Sequence, residues 1–334
     1  MPQLKLSLLG PPHLELNGAP LPIDRRKTLA LLIYLALTPQ PHRRDTLATL
    51  FWPGYDQTYA RANLRRALSG LHLALGQRWL EIDRESVALP PAAEVWLDVV
   101  QFRRLVAVGQ DHDHPPAEVC PACLAGLTEA VNLYRDDFLT GFTLPDSPGF
   151  DDWQLFETEN LRQALAEALE RLAHGYAGQG QYKPALAYAR RWLALDSLHE
   201  PAQRSLMQLH ALAGDRAAAL RQYQACVRAL KEELGVSPSA ETTALYERIR
   251  SEEASRVWDT PSPPPQPSPA AGEGVSQLPS VAGGLRGVFT KEAQSGLSAG
   301  APKWFLAPLR RMRMTRSGPS GRGWSLKPRP RGLA

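Results

Sequence analysis

The sequence predicts a mainly α-helical fold: an N-terminal head with a small β-sheet, three helices and a β-hairpin, then an all-α domain of helical repeats, then a disordered tail. Three observations predict it. Leu64, Leu68, Leu71 and Leu75 recur at helical spacing, and two short strand-like segments follow at once. Further on, two helical segments align at a spacing of 34 residues, a period that marks stacked helix pairs. After Trp258 the composition turns abruptly to Pro, Gly, Ser and Arg. A chain of 334 residues has room for two domains and a tail.

The head occupies residues 1–93. LKLSLLG, HLELNG and APLPI alternate apolar and polar residues between Gly and Pro breaks, which predicts a small antiparallel sheet. Asn17-Gly18 is a tight-turn signal. A helix follows over about 26–37. A second, over about 43–51, puts Leu47, Leu50 and Phe51 on one face and stops at Pro53. The third, DQTYARANLRRALSGLHLALG, starts near Asp56 and ends near Leu75. WLEID and VAL then form a hairpin with RES at its tip. Sheet, three helices and hairpin, in that order, resemble a winged helix of the OmpR/PhoB type.

Pro90-Pro91 marks the boundary, and residues 94–254 form the second domain. Asp98 and Gln101, three residues apart, resemble a capping box that opens a helix through Phe102, Leu105 and Val106. From Phe150 to about Glu253 the chain is almost continuous amphipathic helix. GQYKPALAYARRWLAL and GDRAAALRQYQACVRAL match Gly180 to Gly214, Ala185 to Ala219 and Leu186 to Leu220, with Leu172 matching Leu206 upstream. Small residues at matched positions let the two helices of a tetratricopeptide-like pair approach closely. Gly235 ends a helix, and Ser237-Pro238 starts the next. Residues 255–334 begin with TPSPPPQPSPAAGEG and hold too little apolar periodicity to offset the entropy of ordering. That tail is expected to be disordered, apart from a short helix near Trp304 to Met314.

Composition bounds the function. Hydrophobic residues make up 43% and charged residues 22%, ordinary values for a globular protein. The longest apolar run, LALLIYLAL from Leu29, is far short of the ~20 residues that span a bilayer. It also begins too far from Met1 for a signal peptide. Three cysteines and no export signal place the chain in the cytoplasm, away from membranes. The net charge of +4 conceals an asymmetry. Lys and Arg number 11 against 7 Asp and Glu in residues 1–93, 15 against 24 in 94–254, and 12 against 3 in the tail. A basic head and an acidic body suit a DNA contact and a protein contact respectively.

The third helix carries the candidate chemistry. Arg61, Arg65 and His72 lie beside its leucine stripe, with Ser69 and Arg66 further round; Arg61, Asn63, Arg65, Arg66 and Ser69 are the candidate base and phosphate contacts. Arg pairs bidentately with guanine, and Asn with adenine, in the major groove. Arg84 at the hairpin tip is placed to touch phosphate. Arg43 and Arg44, opening the second helix, are placed likewise; such contacts set position without reading sequence. A second constellation is DHDHPPAEVCPAC. His112, His114, Cys120 and Cys123 offer two imidazoles and two thiolates, a set that zinc takes in tetrahedral geometry. A structural zinc site, an unliganded loop and a redox dithiol are the three readings of it. Cys226 falls inside a repeat helix as a small core residue. No catalytic constellation is visible, so the chain reads as a non-enzyme that requires no cofactor.

The two modules together resemble the bacterial transcriptional activator domain regulators of the antibiotic-regulatory type. LYRDDFLTGF (Leu133 to Phe142), DSPGFDDW (Asp146 to Trp153), ENLRQALAEALERLA and the long run from ARRWLALDSLHEPAQRSLMQ to ELGVSPSAET carry the resemblance, together with the winged-helix head; it covers roughly residues 4–253. It implies a head that occupies tandem repeats in double-stranded promoter DNA. The helical domain would aid self-association, as in a homodimer, and contact RNA polymerase or other transcription proteins. Larger relatives continue into an ATPase module. This sequence holds no GxxxxGK[ST] phosphate loop, and the tail stands where that module would begin. Two other readings remain: a helical-repeat scaffold whose head no longer reads DNA, and a truncated remnant of a longer ATPase regulator.

Overall fold

A computed structural model describes residues 3–89, 95–108 and 119–258. The expected tail disorder, and the helix expected near 304–314, lie outside the described residues. The head begins with three strands, β1 (Leu4–Ser7), β2 (His13–Leu16) and β3 (Ala19–Pro20), joined antiparallel. Leu4 pairs with Leu16 and Leu6 with Leu14, so the alternation seen in the sequence sets the register and buries one face. Three helices follow: α1 (Arg26–Leu37), α2 (Arg44–Phe51) and α3 (Gln57–Leu75). Between α1 and α2 lies β4 (His42–Arg43), and after α3 come a single 3₁₀ turn, β5 (Glu81–Ile82) and β6 (Ser86–Ala88).

Two features of the head depart from expectation. Arg43 opens the second helix as its N-cap and is also paired as a strand residue. It sits in β4, an edge strand that pairs with β6, and α2 starts one residue later. The wing is thus a three-stranded sheet in the order β4-β6-β5, not a bare hairpin. The second departure is β7 (Val95–Leu97), which adds to β1 in parallel and extends the first sheet to the order β3-β2-β1-β7.

Asp98, the first residue of α4 (Asp98–Val108), differs from a capping-box residue too. Its buried carboxylate accepts from the Leu8 N–H at 2.7 Å and the Leu9 N–H at 2.9 Å, and from its own neighbour Val99 at 2.8 Å. The carboxylate therefore ties α4 to the end of β1. Burial pushes its pKa up, against the pull of the three N–H donors and Arg135.

After β7 and α4, the described elements of the second domain are helices: α5 (Pro121–Leu133), α6 (Pro148–Gly178), α7 (Tyr182–Leu195), α8 (Glu200–Leu212), α9 (Arg216–Leu234) and α10 (Ala240–Trp258). The 34-residue repeat is a structural repeat. Gly180 and Gly214 both turn the chain at positive φ, 72° and 82°, where an L side chain would be strained. Ala185 and Ala219 are both fully buried, as are Leu172 and, nearly, Leu206. The α6–α7 and α8–α9 pairs pack as the matched residues require.

One apolar core runs from Leu4 to Ala202 without a break between head and repeats. Its seam is aromatic. Phe51 of α2 meets Phe150 of α6 at 5.5 Å between ring centroids, and Tyr34 of α1 meets Trp153 at 5.0 Å. Polar bonds flank the rings: Lys27 Nζ lies 2.8 Å from the Asp146 carboxylate, and Ser147 Oγ donates to the Phe51 carbonyl at 2.9 Å. The DSPGFDDW segment is thus a clasp on the second helix of the head. A smaller cluster, Met207, Ala219, Leu245 and Ile249, closes the far end.

Candidate nucleic-acid interface

The third helix is set up by its first residue and its stripe. Asp56 is the N-cap, accepting from the Thr58 N–H at 2.9 Å and the Tyr59 N–H at 3.2 Å. Leu64, Leu68, Leu71 and Leu75 are buried with Ala60 and Ala67, and the helix packs on α1 and α2. The opposite face is exposed. It presents Thr58, Tyr59, Arg65, Arg66, Ser69 and Leu73.

The sequence-predicted contacts divide by their surroundings. Arg65, Arg66 and Ser69 stand together on the exposed face. Arg66 Nη1 also donates to Asn63 Oδ1 at 3.1 Å, which turns the Asn63 amide toward the flank of the helix. Arg61 lies on the other flank, gripping Asp45 of α2 with two bonds of 2.6 and 2.7 Å. The bond to Arg61 holds the Asp45 carboxyl below its ordinary range, and Asp45 holds the Arg61 guanidinium above its own. Arg61 thus braces the α2–α3 angle. Arg84 is exposed at the wing tip. The tip is shaped by Asp83, whose carboxylate accepts from the Glu85 and Ser86 N–H groups and the Ser86 hydroxyl at 2.6–2.7 Å. Those bonds to Ser86 and Glu85 hold the Asp83 carboxyl below its ordinary range. Arg44 Nη1 donates to the Asp83 carbonyl at 3.1 Å, so it supports the wing from below. Arg43 is exposed on the edge strand beside it.

Sequence reasoning missed several residues of this surface. Tyr59 is 66% exposed and Leu73 90% exposed, two large side chains on the same face as Arg65. An aromatic and a leucine breaking the polar side of the helix were the available signal. Also missed is a crevice of about 690 Å³ beside the helix, where Asn63 and Arg66 face Arg25, Arg26 and Lys27 of the α1 start and the loop 143–146. The basic triplet Arg25-Arg26-Lys27 carried that signal.

Of the four residues with zinc-ligand spacing, His112 and His114 lie outside the described residues. Cys120 and Cys123 are described and adjacent, with Sγ atoms 3.5 Å apart. Among the described residues no helix is long and apolar enough to cross a membrane.

Against known proteins, the model of the bacterial transcriptional activator domain family matches residues 97–250. The chain is 26% identical over 255 residues to the transcriptional regulatory protein EmbR of Mycobacterium tuberculosis and Mycobacterium bovis, covering 74% of this chain and 63% of theirs. It is 25% identical over 253 residues to the transcriptional regulatory protein MoaR1 of Mycobacterium tuberculosis, covering 74% of this chain and 79% of that one. A solved structure of Mycobacterium tuberculosis EmbR, in complex with a low-affinity phosphopeptide, superposes with a TM-score of 0.58 at 21% identity, over 75% of this chain and 66% of that one. The chain thus spans somewhat less than two thirds of the EmbR sequence. The fold shared with that structure is a winged-helix head followed by tetratricopeptide-like helices. The helical pairs at a 34-residue period fall within residues 97–250, the stretch that is similar to the bacterial transcriptional activator domain family.

Proposed function

We propose that the protein is a DNA-binding transcriptional regulator that activates from promoter DNA. The observation that carries this reading is the exposed face of α3, where Arg65, Arg66 and Ser69 stand outward on a helix whose other side is fixed by buried leucines. An α-helix of this kind fits the major groove, and its guanidinium groups suit guanine edges. Asn63 is the adenine reader. Arg84 at the wing, with Arg43 and Arg44 beside it, holds phosphate and fixes the register. The relatives' standing as transcriptional regulatory proteins supports the reading. The helical domain joins a second copy and contacts RNA polymerase or another transcription protein.

The test is binding of the full chain to promoter fragments selected from a genome, across a salt series. Tight complexes on selected fragments, weak ones on random duplex and a steep fall of log K with log salt are expected. Equal, weak binding to both would leave the helical-repeat scaffold as the function.

A further inference from the structure

We propose that the crevice at the start of α1 binds a small molecule carrying two or more phosphate charges, and that this ligand and DNA exclude one another. The second half rests on the DNA-binding reading above. The crevice measures about 690 Å³ and lies between the start of α1, the flank of α3 and the loop 143–146. That is the size of a cleft for a discrete small ligand. Its charges do not balance. Arg25, Arg26, Lys27 and Arg66 line it, against one carboxylate, Asp146. Lys27 already takes that carboxylate at 2.8 Å, donates to the Phe51 carbonyl at 2.6 Å and lies over the Trp52 ring at 5.6 Å. Among the described residues no carboxylate pairs with Arg25, Arg26 or Arg66. Arg26 rests against the Phe142 ring at 5.1 Å, and Arg66 on the Asn63 amide.

Guanidinium groups fit phosphate oxygens two at a time, and several converging on one cleft suit a ligand with more than one such charge. The rest of the lining favours those bonds. Trp52, Ala67 and Leu144 are buried and give the crevice an apolar floor, where charge-assisted bonds are stronger than in open water. α1 opens with no side-chain cap and no acidic residue in its first turn, so its own N–H groups add to the positive field. A duplex backbone is met by side chains on an outer face; a recess with an exposed carboxylate at its rim suits a discrete ligand instead. Asn63 and Arg66 belong to both surfaces, so a ligand that holds them in the crevice takes them from the base edges.

The experiment is calorimetric titration of the full chain with inorganic pyrophosphate, at an ionic strength held constant with chloride. Saturable binding of a single pyrophosphate per chain is expected. Arg25→Ala and Arg66→Ala should each weaken it by roughly tenfold or more, the loss of a charge-assisted bond. Lys183→Ala removes the same charge from the exposed side of α7 and should leave it unchanged. All three side chains are exposed, and circular dichroism reports whether each variant has folded. Absence of saturable binding would overturn the site, and so would an equal loss in Lys183→Ala, the mark of a general charge effect. In a second arm, pyrophosphate should displace a selected promoter fragment from the unaltered chain, and do so less readily from Arg25→Ala. Pyrophosphate that binds without displacing DNA would overturn the exclusion. An Arg25→Ala chain that binds pyrophosphate normally and DNA weakly would overturn the site and assign this arginine to the DNA backbone. Should no fragment bind the unaltered chain, the DNA-binding reading falls, while the first arm still decides the crevice.

Discussion

At Asp98 a carboxylate in the first turn of α4 bonds to a backbone N–H 90 residues earlier in the chain. Asn at this position keeps the size but offers one acceptor oxygen to three donors. Asp98→Asn should therefore lower the stability by ~1–3 kcal/mol, the cost of leaving a buried donor unmet. A denaturant titration checks it; an unchanged midpoint would mean that the group is already protonated in the folded protein. Arg65 makes the sharper functional prediction. Arg65→Ala should weaken specific DNA binding by ~1–3 kcal/mol and relax the preference at one base pair. An equal loss on random duplex would make it a phosphate contact. His174 supplies a pH dependence. Burial holds its imidazole below the ordinary range. Between its folded and unfolded pKa values the unfolded chain binds the extra proton. Its contribution to stability is thus present at neutral pH and is lost as pH falls from about 6.5 through the folded value. Thermal melts of the unaltered chain and of His174→Gln across that range should diverge on the alkaline side and converge on the acid side.

At the level of elements, α3 depends on its cap. Asp56→Ala removes the acceptor for two N–H groups and should cost ~1 kcal/mol, read as a lower melting temperature with promoter binding weakened in step. This helix was legible in advance because the leucine period and the hairpin after it lie within one short stretch. The repeat was legible for a similar reason: Gly180 and Gly214 take the same backbone turn, so the same residue recurs. The parallel strand β7 was not legible. Val95, Trp96 and Leu97 resemble any short apolar run, and their pairing is decided by contacts with Leu4, Lys5 and Leu6 at the far end of the domain. Arg43 does open the second helix, as its N-cap, but its strand pairing was not legible: the strand at 42–43 exists only because β6 comes back to pair with it. On the candidate interface, residue types pointed to a face of α3 that is exposed. They could not show that Arg61 is gripped by Asp45, since that bond spans two helices whose angle is set by packing.

Taken whole, the head and the helical domain share one interior. The family signature DSPGFDDW, read in the sequence as a mark of kinship, also joins the two modules, because Phe150 and Trp153 fill the space beside Phe51 and Tyr34. Phe150→Ala should cost ~3–5 kcal/mol, as for other buried aromatics. Limited proteolysis should then cut between the two modules faster than in the unaltered chain. This seam also decides how the protein tolerates being divided. A fragment beginning at residue 94 would strand β7 without β1, leave the Asp98 carboxylate without the Leu8 and Leu9 N–H groups, and bare an aromatic patch to water. Such a fragment should precipitate where the intact chain stays in solution, because a wide oily wound invites aggregation.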